Sequence, residues 1–138
     1  MIKNLEELKK ELSSSERLYY FGVCILKENR ILKKILCDLS KLSWKIVNSF
    51  VIPEKFNSEK KKVEFFIKNF LINFLTKEEI KSFTECLKFY KLHNESSLEF
   101  VRKERVILYY NGKYEIITKE KIIEKLNIIK KIIIKSEE

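Results

Sequence analysis

The chain has 138 residues, 45% hydrophobic and 12% aromatic, enough apolar material for one core and for a single domain spanning 1–138. Two glycines and one proline leave little room for long loops or a β-sandwich and exclude a glycine-rich phosphate loop. The net charge of +9 points toward acidic partners or nucleic acid.

Ile2, Leu5, Leu8 and Leu12 mark a first amphipathic helix, entered at Asn4 with Glu6 and Glu7 in its first turn. Ser13-x-x-Glu16 has the form of a capping box that starts a new helix, yet the apolar phase of Leu12, Leu18, Tyr19 and Phe21 permits continuity, and both readings stand. From 17 to 50 the pattern is helical, with Ile31, Ile35, Leu39, Leu42 and Ile46 as its main stripe and a break expected near 27–29. Gly22 lies inside this pattern, where glycine costs about 1 kcal/mol relative to alanine, so a close helix approach is its expected reason. Trp44 reads as a core or rim residue. Pro53 ends this half and opens a loop that runs to Ser58.

Ser58 is expected to cap a helix with the dense face Val63, Phe66, Ile67, Phe70, Leu71 and Phe74. Thr76-x-x-Glu79 is a clearer capping box and starts a helix through about Leu92, buried along Ile80, Phe83, Leu87 and Tyr90. The run from His93 through Asn94, Glu95, Ser96 and Ser97 reads as a loop, and 98–105 as the lead into a β-hairpin at about 105–118. Asn111-Gly112 is the pair that most readily takes the two positive φ values of a type I′ turn. The two-residue loop sets the register: Tyr110 opposite Lys113, Tyr109 opposite Tyr114, Leu108 opposite Glu115, Ile107 opposite Ile116. Ile107, Tyr109, Tyr114 and Ile116 then share a wholly apolar face, which is expected to lie against a helix. The opposite face mixes Val106, Leu108 and Ile117 with Tyr110, Lys113 and Glu115 and reads as partly wet.

Thr118 is a fitting N-cap for a last helix over about 119–135. Its seam Ile122, Leu126, Ile129 and Ile133 is widened by Ile123, Ile134, Ile128 and Ile132, more apolar surface than a one-sided helix requires. Either two neighbours cover it or two chains share it, and the second reading makes the seam an oligomer interface. The expected fold is mostly α, a bundle of four to five helices with one hairpin before the C-terminal helix.

The three cysteines, Cys24, Cys37 and Cys86, are odd in number and widely spaced, which suits buried structural thiols rather than disulfides or a metal site; no cofactor is implied. Uncharged runs are far shorter than a membrane span, so no membrane partner and cytoplasmic residence are expected. His93 is the single histidine and Asp38 the single aspartate, and no carboxylate pair has hydrolase spacing, so no catalytic residue is assigned. If the chain were an enzyme, His93 and Arg102 or Arg105 would have to carry it, converging on a phosphate; the plainer reading places His93 at a helix end, where its ring suits the dipole. Candidate nucleic-acid contacts are Lys60, Lys61 and Lys62, then Arg102, Lys103 and Arg105, with the lysines of the last helix a third cluster. A compositional reading competes, because the chain has no alanine or glutamine and sets four arginines against 25 lysines, as an AT-rich coding sequence would.

Two segments, E-R-L-Y-Y-F-G-V-C-I-L-K-E-N-R-I-L-K-K-I-L and H-N-E-S-S-L-E-F-V-R-K-E-R-V-I-L followed by I-I-T-K-E-K-I, resemble a family of small archaeal helical proteins without an assigned biochemical activity. The arrangement of helical pairs and a charged loop is more loosely similar to HEPN domains, helical dimers of which some are ribonucleases. Active members carry an arginine, four to six residues, then histidine; no arginine stands at that distance before His93, so the resemblance does not bring nuclease activity with it. The sequence therefore favours a non-enzymatic, self-associating interaction module, partnered by a second copy and by RNA or an acidic protein. The alternative is a basic RNA-binding protein or a degenerate HEPN-type ribonuclease.

Overall fold

A computed structural model describes residues 2–50 and 58–138. It contains five α-helices and one three-stranded antiparallel sheet, inserted before the last helix. Pro53 and the loop expected there fall within 51–57, outside the described residues.

Helix α1 (Leu5–Arg17) buries Leu8 and Leu12 and runs through the serine triplet without a break, so the Ser13 capping box does not form. It continues directly into a π-helical segment, Leu18–Ile25. The wider π turn brings residues five apart alongside each other. Tyr19 and Cys24 are such a pair, and burial together with their hydrogen bond pushes the Tyr19 phenol up to about 12. The chain reverses where expected, with Lys27 at φ 57°, and α2 (Ile31–Ser49) returns along the core. A Cβ on Gly22 would lie 2.6 Å from Ile31 Cδ1, which is the close approach its position suggested. Trp44 sits at the rim, its indole N–H donating to the Leu87 carbonyl.

The Ser58 hydroxyl caps α3 (Glu59–Asn69), which packs its phenylalanines against Phe50 at the end of α2. Both halves of the Thr76 capping box form at the start of α4 (Lys77–Glu95). Lys131 of the last helix reaches Glu79 at 2.6 Å and, as the larger cause, holds its carboxyl below the usual range. A depressed folded pKa means that this tie contributes above the unfolded carboxyl pKa and is lost as pH falls through the folded one. Helix α4 is three residues longer than expected, so His93 lies in its last turn, as the plainer reading placed it, and not in the loop; the buried face of α4 runs through Phe83, Cys86, Leu87 and Phe89 while Tyr90 is exposed.

The sheet corrects the sequence reading twice. Residues Leu98–Arg102 form a strand, β1, paired with β2 (Arg105–Tyr110) across a turn in which Lys103 takes φ 55° without help from glycine. β2 pairs with β3 (Lys113–Thr118) in the expected register, with Asn111 and Gly112 both at positive φ. The faces, however, are inverted. Val106 and Leu108 are fully buried against α2 and α4, with Val101 and Ile117 beside them, while Tyr114 and Ile116 point outward. Both faces are apolar enough to be buried; helices cover only one, and the aliphatic side chains at 106 and 108 fit their close approach better than tyrosine rings.

Helix α5 (Lys119–Glu137), capped by Thr118, packs against α1, α2 and α4. The seam Ile122, Leu126, Ile129 and Ile133 is buried within the single chain, as are Ile128 and Ile132. Its surplus apolar surface thus has several intramolecular neighbours, and the assignment of these four residues to an oligomer interface is withdrawn. The inverted sheet makes a direct prediction. Leu108→Ala should cost about 2 to 5 kcal/mol in urea denaturation, and Ile116→Ala about 1 kcal/mol or less; the reverse order would contradict the placement of the sheet.

Candidate functional site on the sheet, and the cluster at His93

The register places nine side chains on the outer sheet face in three rows across the strands: Leu98–Tyr109–Tyr114, then Phe100–Ile107–Ile116, then Arg102–Arg105–Thr118. The first two rows are apolar and open. Leu98 is 52% exposed, Phe100 37%, Tyr114 60% and Ile116 50%, and Ile107 and Tyr109 are half-buried. Tyr109 and Tyr114 meet edge to face at 5.0 Å. No carboxylate belongs to any of the three rows.

The third row sets Arg102 directly opposite Arg105. Like charges facing each other across strands are destabilising. No described carboxylate forms an ion pair with either guanidinium, because the intervening Glu104 turns to Lys119. Arg102, Lys103, Arg105 and Ile107 line a cleft of about 280 Å³. The basic triplet noted in the sequence is thereby brought to the edge of an aromatic platform, an association hidden until β1 is recognised as a strand. Lys60, Lys61 and Lys62 lie in the first turn of α3, which packs on α2, whereas Arg102, Lys103 and Arg105 lie at the β1–β2 turn, on different elements.

His93 projects from the last turn of α4 toward the inner side of β1. Its Nδ1 is 2.7 Å from both carboxylate oxygens of Glu99, and Lys33 Nζ of α2 is 3.0 Å from the same carboxylate. The ring stacks on Phe89. An orienting partner for the imidazole, absent from the sequence reading, is therefore present. Arg102 is not. Glu99 and Arg102 are an odd number of residues apart on β1 and fall on opposite faces, so His93 and Arg102 do not converge on one substrate position.

Arg30, Lys33, Lys34, Cys37 and Lys41 line the shallow cleft of about 360 Å³ that His93 borders. Burial first, and the Glu99 charge after it, push the Cys37 thiol above its ordinary range, the wrong direction for a nucleophilic thiolate. Burial also pushes the Cys86 thiol up to about 11. Most cations here already have partners: Arg30 with Glu28, Lys33 with Glu99, Lys34 with Asp38. The Tyr110 hydroxyl donates to the Glu95 carboxylate. One carboxylate, Glu99, thus ties β1 to both α2 and α4.

A further exposed apolar group, Tyr20, Phe21, Ile25 and the following Leu26, lies at the π segment, where Phe21 and Leu26 share a cleft with Arg17, Lys34 and Asp38; it lacks the paired rows that the strands impose on the sheet face. Among the described residues, no group of three or more His, Cys, Asp or Glu side chains could hold a metal ion, and no helix is long and apolar enough to cross a membrane. Comparison with protein-family models, curated proteins and solved structures finds no match to the chain.

The Glu99 tie predicts that Glu99→Ala lowers stability by about 1.5 to 3 kcal/mol, the range for hydrogen bonds to charged groups. His93→Ala should cost roughly 1 kcal/mol. Urea denaturation of both variants and of the double variant checks the coupling. Fully additive losses would show that the contact does not hold the sheet.

Proposed function

We propose that this protein is a non-enzymatic interaction module whose working surface is the outer face of the three-stranded sheet. One observation carries the reading: six apolar or aromatic side chains occupy two adjacent rows of an open sheet face, bordered by two unpaired guanidiniums and free of carboxylates. A contiguous, organised apolar face on a monomer marks an interaction site more often than chance exposure does. The non-enzymatic part rests on His93, whose carboxylate partner also anchors the sheet and whose expected phosphate-binding arginine lies across the strand.

Self-association uses the same face. A twofold axis along the central row lays the arginine row of one copy over the tyrosine row of the other, placing guanidinium on aromatic ring and closing the contact after two chains. The face is small. Three strands about 4.8 Å apart and three rows about 6.8 Å apart define a patch of roughly 10 by 14 Å. A stable protein interface takes about 800 Å² from each partner, so this dimer is weak and concentration-dependent. Light scattering at about 100 µM protein should show dimer that dissociates on dilution. Ile116→Asp, at an exposed position, should leave a folded monomer at all concentrations. A wild-type monomer at that concentration, or a dimer indifferent to Ile116→Asp, would contradict the reading.

A further inference from the structure

We infer that the preferred occupant of this face is a short single-stranded stretch of nucleic acid, an inference that rests on the outer sheet face being the working surface. Phe100, Tyr109 and Tyr114 present rings on an open sheet face, where bases can stack without regard to sequence. Arg102 and Arg105, adjoining the ring rows, supply planar donors suited to phosphate, and Lys103 adds a third cation at the turn. Each half alone is ordinary. Together they match a polymer that alternates flat apolar bases with anionic phosphates.

Size and charge select this ligand over the alternatives. A patch of roughly 10 by 14 Å is small for a stable protein interface but accommodates two or three bases, the number that sheet-based readers of single strands commonly stack. The guanidinium pair is opposed and forms no ion pair with a described carboxylate, so an anion bridging both relieves a repulsion that an apolar partner would leave in place. The whole-chain charge of +9 favours the encounter. Duplex fits poorly, because paired bases do not offer their faces. The polar atoms of the face sit at its two ends, the Tyr109 and Tyr114 hydroxyls at one and the Arg102–Arg105–Thr118 row at the other, and the middle row Phe100–Ile107–Ile116 carries none, so stacking and phosphate contact outweigh reading of base edges and sequence preference is weak.

Fluorescence anisotropy of a labelled twelve-residue oligouridylate with the full chain tests this. Three phosphate contacts predict a slope of log Kobs against log salt of about −2. Tyr114→Ser should weaken binding about 5- to 150-fold, as expected for loss of one stacked base, while changing the salt slope little. The double variant Arg102→Ala, Arg105→Ala should flatten the slope by about 1.4. Lys60→Ala with Lys61→Ala should leave both quantities at wild-type values. Circular dichroism confirms folding of the variants, all of which alter exposed positions.

Excess oligouridylate should also convert the weak dimer into a complex containing one protein chain. No binding at low salt, binding unaffected by Tyr114→Ser, or a slope carried by Lys60 and Lys61 overturns the inference. So does Tyr114-dependent binding to phosphatidylserine vesicles without binding to the oligonucleotide. If the oligonucleotide fails while the Ile116-dependent dimer persists, the nucleic-acid inference falls and the interaction surface stands. Failure of both removes the surface as well.

Discussion

The placement of β2 is the constraint on which the rest depends. Val106 and Leu108 enter the helical core with no exposed surface, and in a strand this commits every alternate side chain to the other side. Two short turns then transmit the choice. Asn111-Gly112 fixes β3 against β2, and Lys103 in the left-handed region fixes β1, so the composition of the outer face follows from two buried aliphatic side chains. A one-residue slip of β2 would bury tyrosine where valine and leucine now fit and would dismantle the rows.

Burial of α5 supplies the complementary half of the account. Its isoleucines are poor helix formers, and their contacts with α1, α2 and α4 hold the element in place. Because these contacts consume the seam, the exposed apolar groups among the described residues lie chiefly on the outer sheet face and on Tyr20, Phe21, Ile25 and Leu26. The inner face is held at its edge by Glu99, whose carboxylate meets Lys33 from α2 and His93 from α4. A charged group on the inner side thus serves attachment, while Arg102 and Arg105 on the outer side form no ion pair with a described carboxylate.

Elements governed by local chemistry were legible in the sequence. The Asn111-Gly112 turn, the hairpin register, the caps at Ser58, Thr76 and Thr118, and the reversal near Lys27 each depend on residues within a few positions of one another. Features decided by distant contacts were not. Ile107, Tyr109, Tyr114 and Ile116 form a more uniformly apolar set than Val106, Leu108 and Ile117, and only the space between α2, α4 and the sheet selects the second set for burial. β1 escaped notice because Lys103 makes its turn without glycine or asparagine, and the π winding of Leu18–Ile25 carries no local signal that helical periodicity would detect. The candidate face inherits this partial legibility. Arg102, Lys103 and Arg105 stood out as a basic cluster, but their union with Phe100, Tyr109 and Tyr114 depends on the third strand.

The most direct test of the central claim is residue-resolved NMR of the isotopically labelled chain, comparing a dilution series with a titration of oligouridylate. Concentration and ligand should both move the Phe100, Ile107, Tyr109, Tyr114 and Ile116 resonances, and ligand should also move Arg102 and Arg105, with the buried Val106 and Leu108 side chains little changed. Shifts centred instead on the cleft beside His93 or on the π segment, with the outer sheet face silent, would contradict the account.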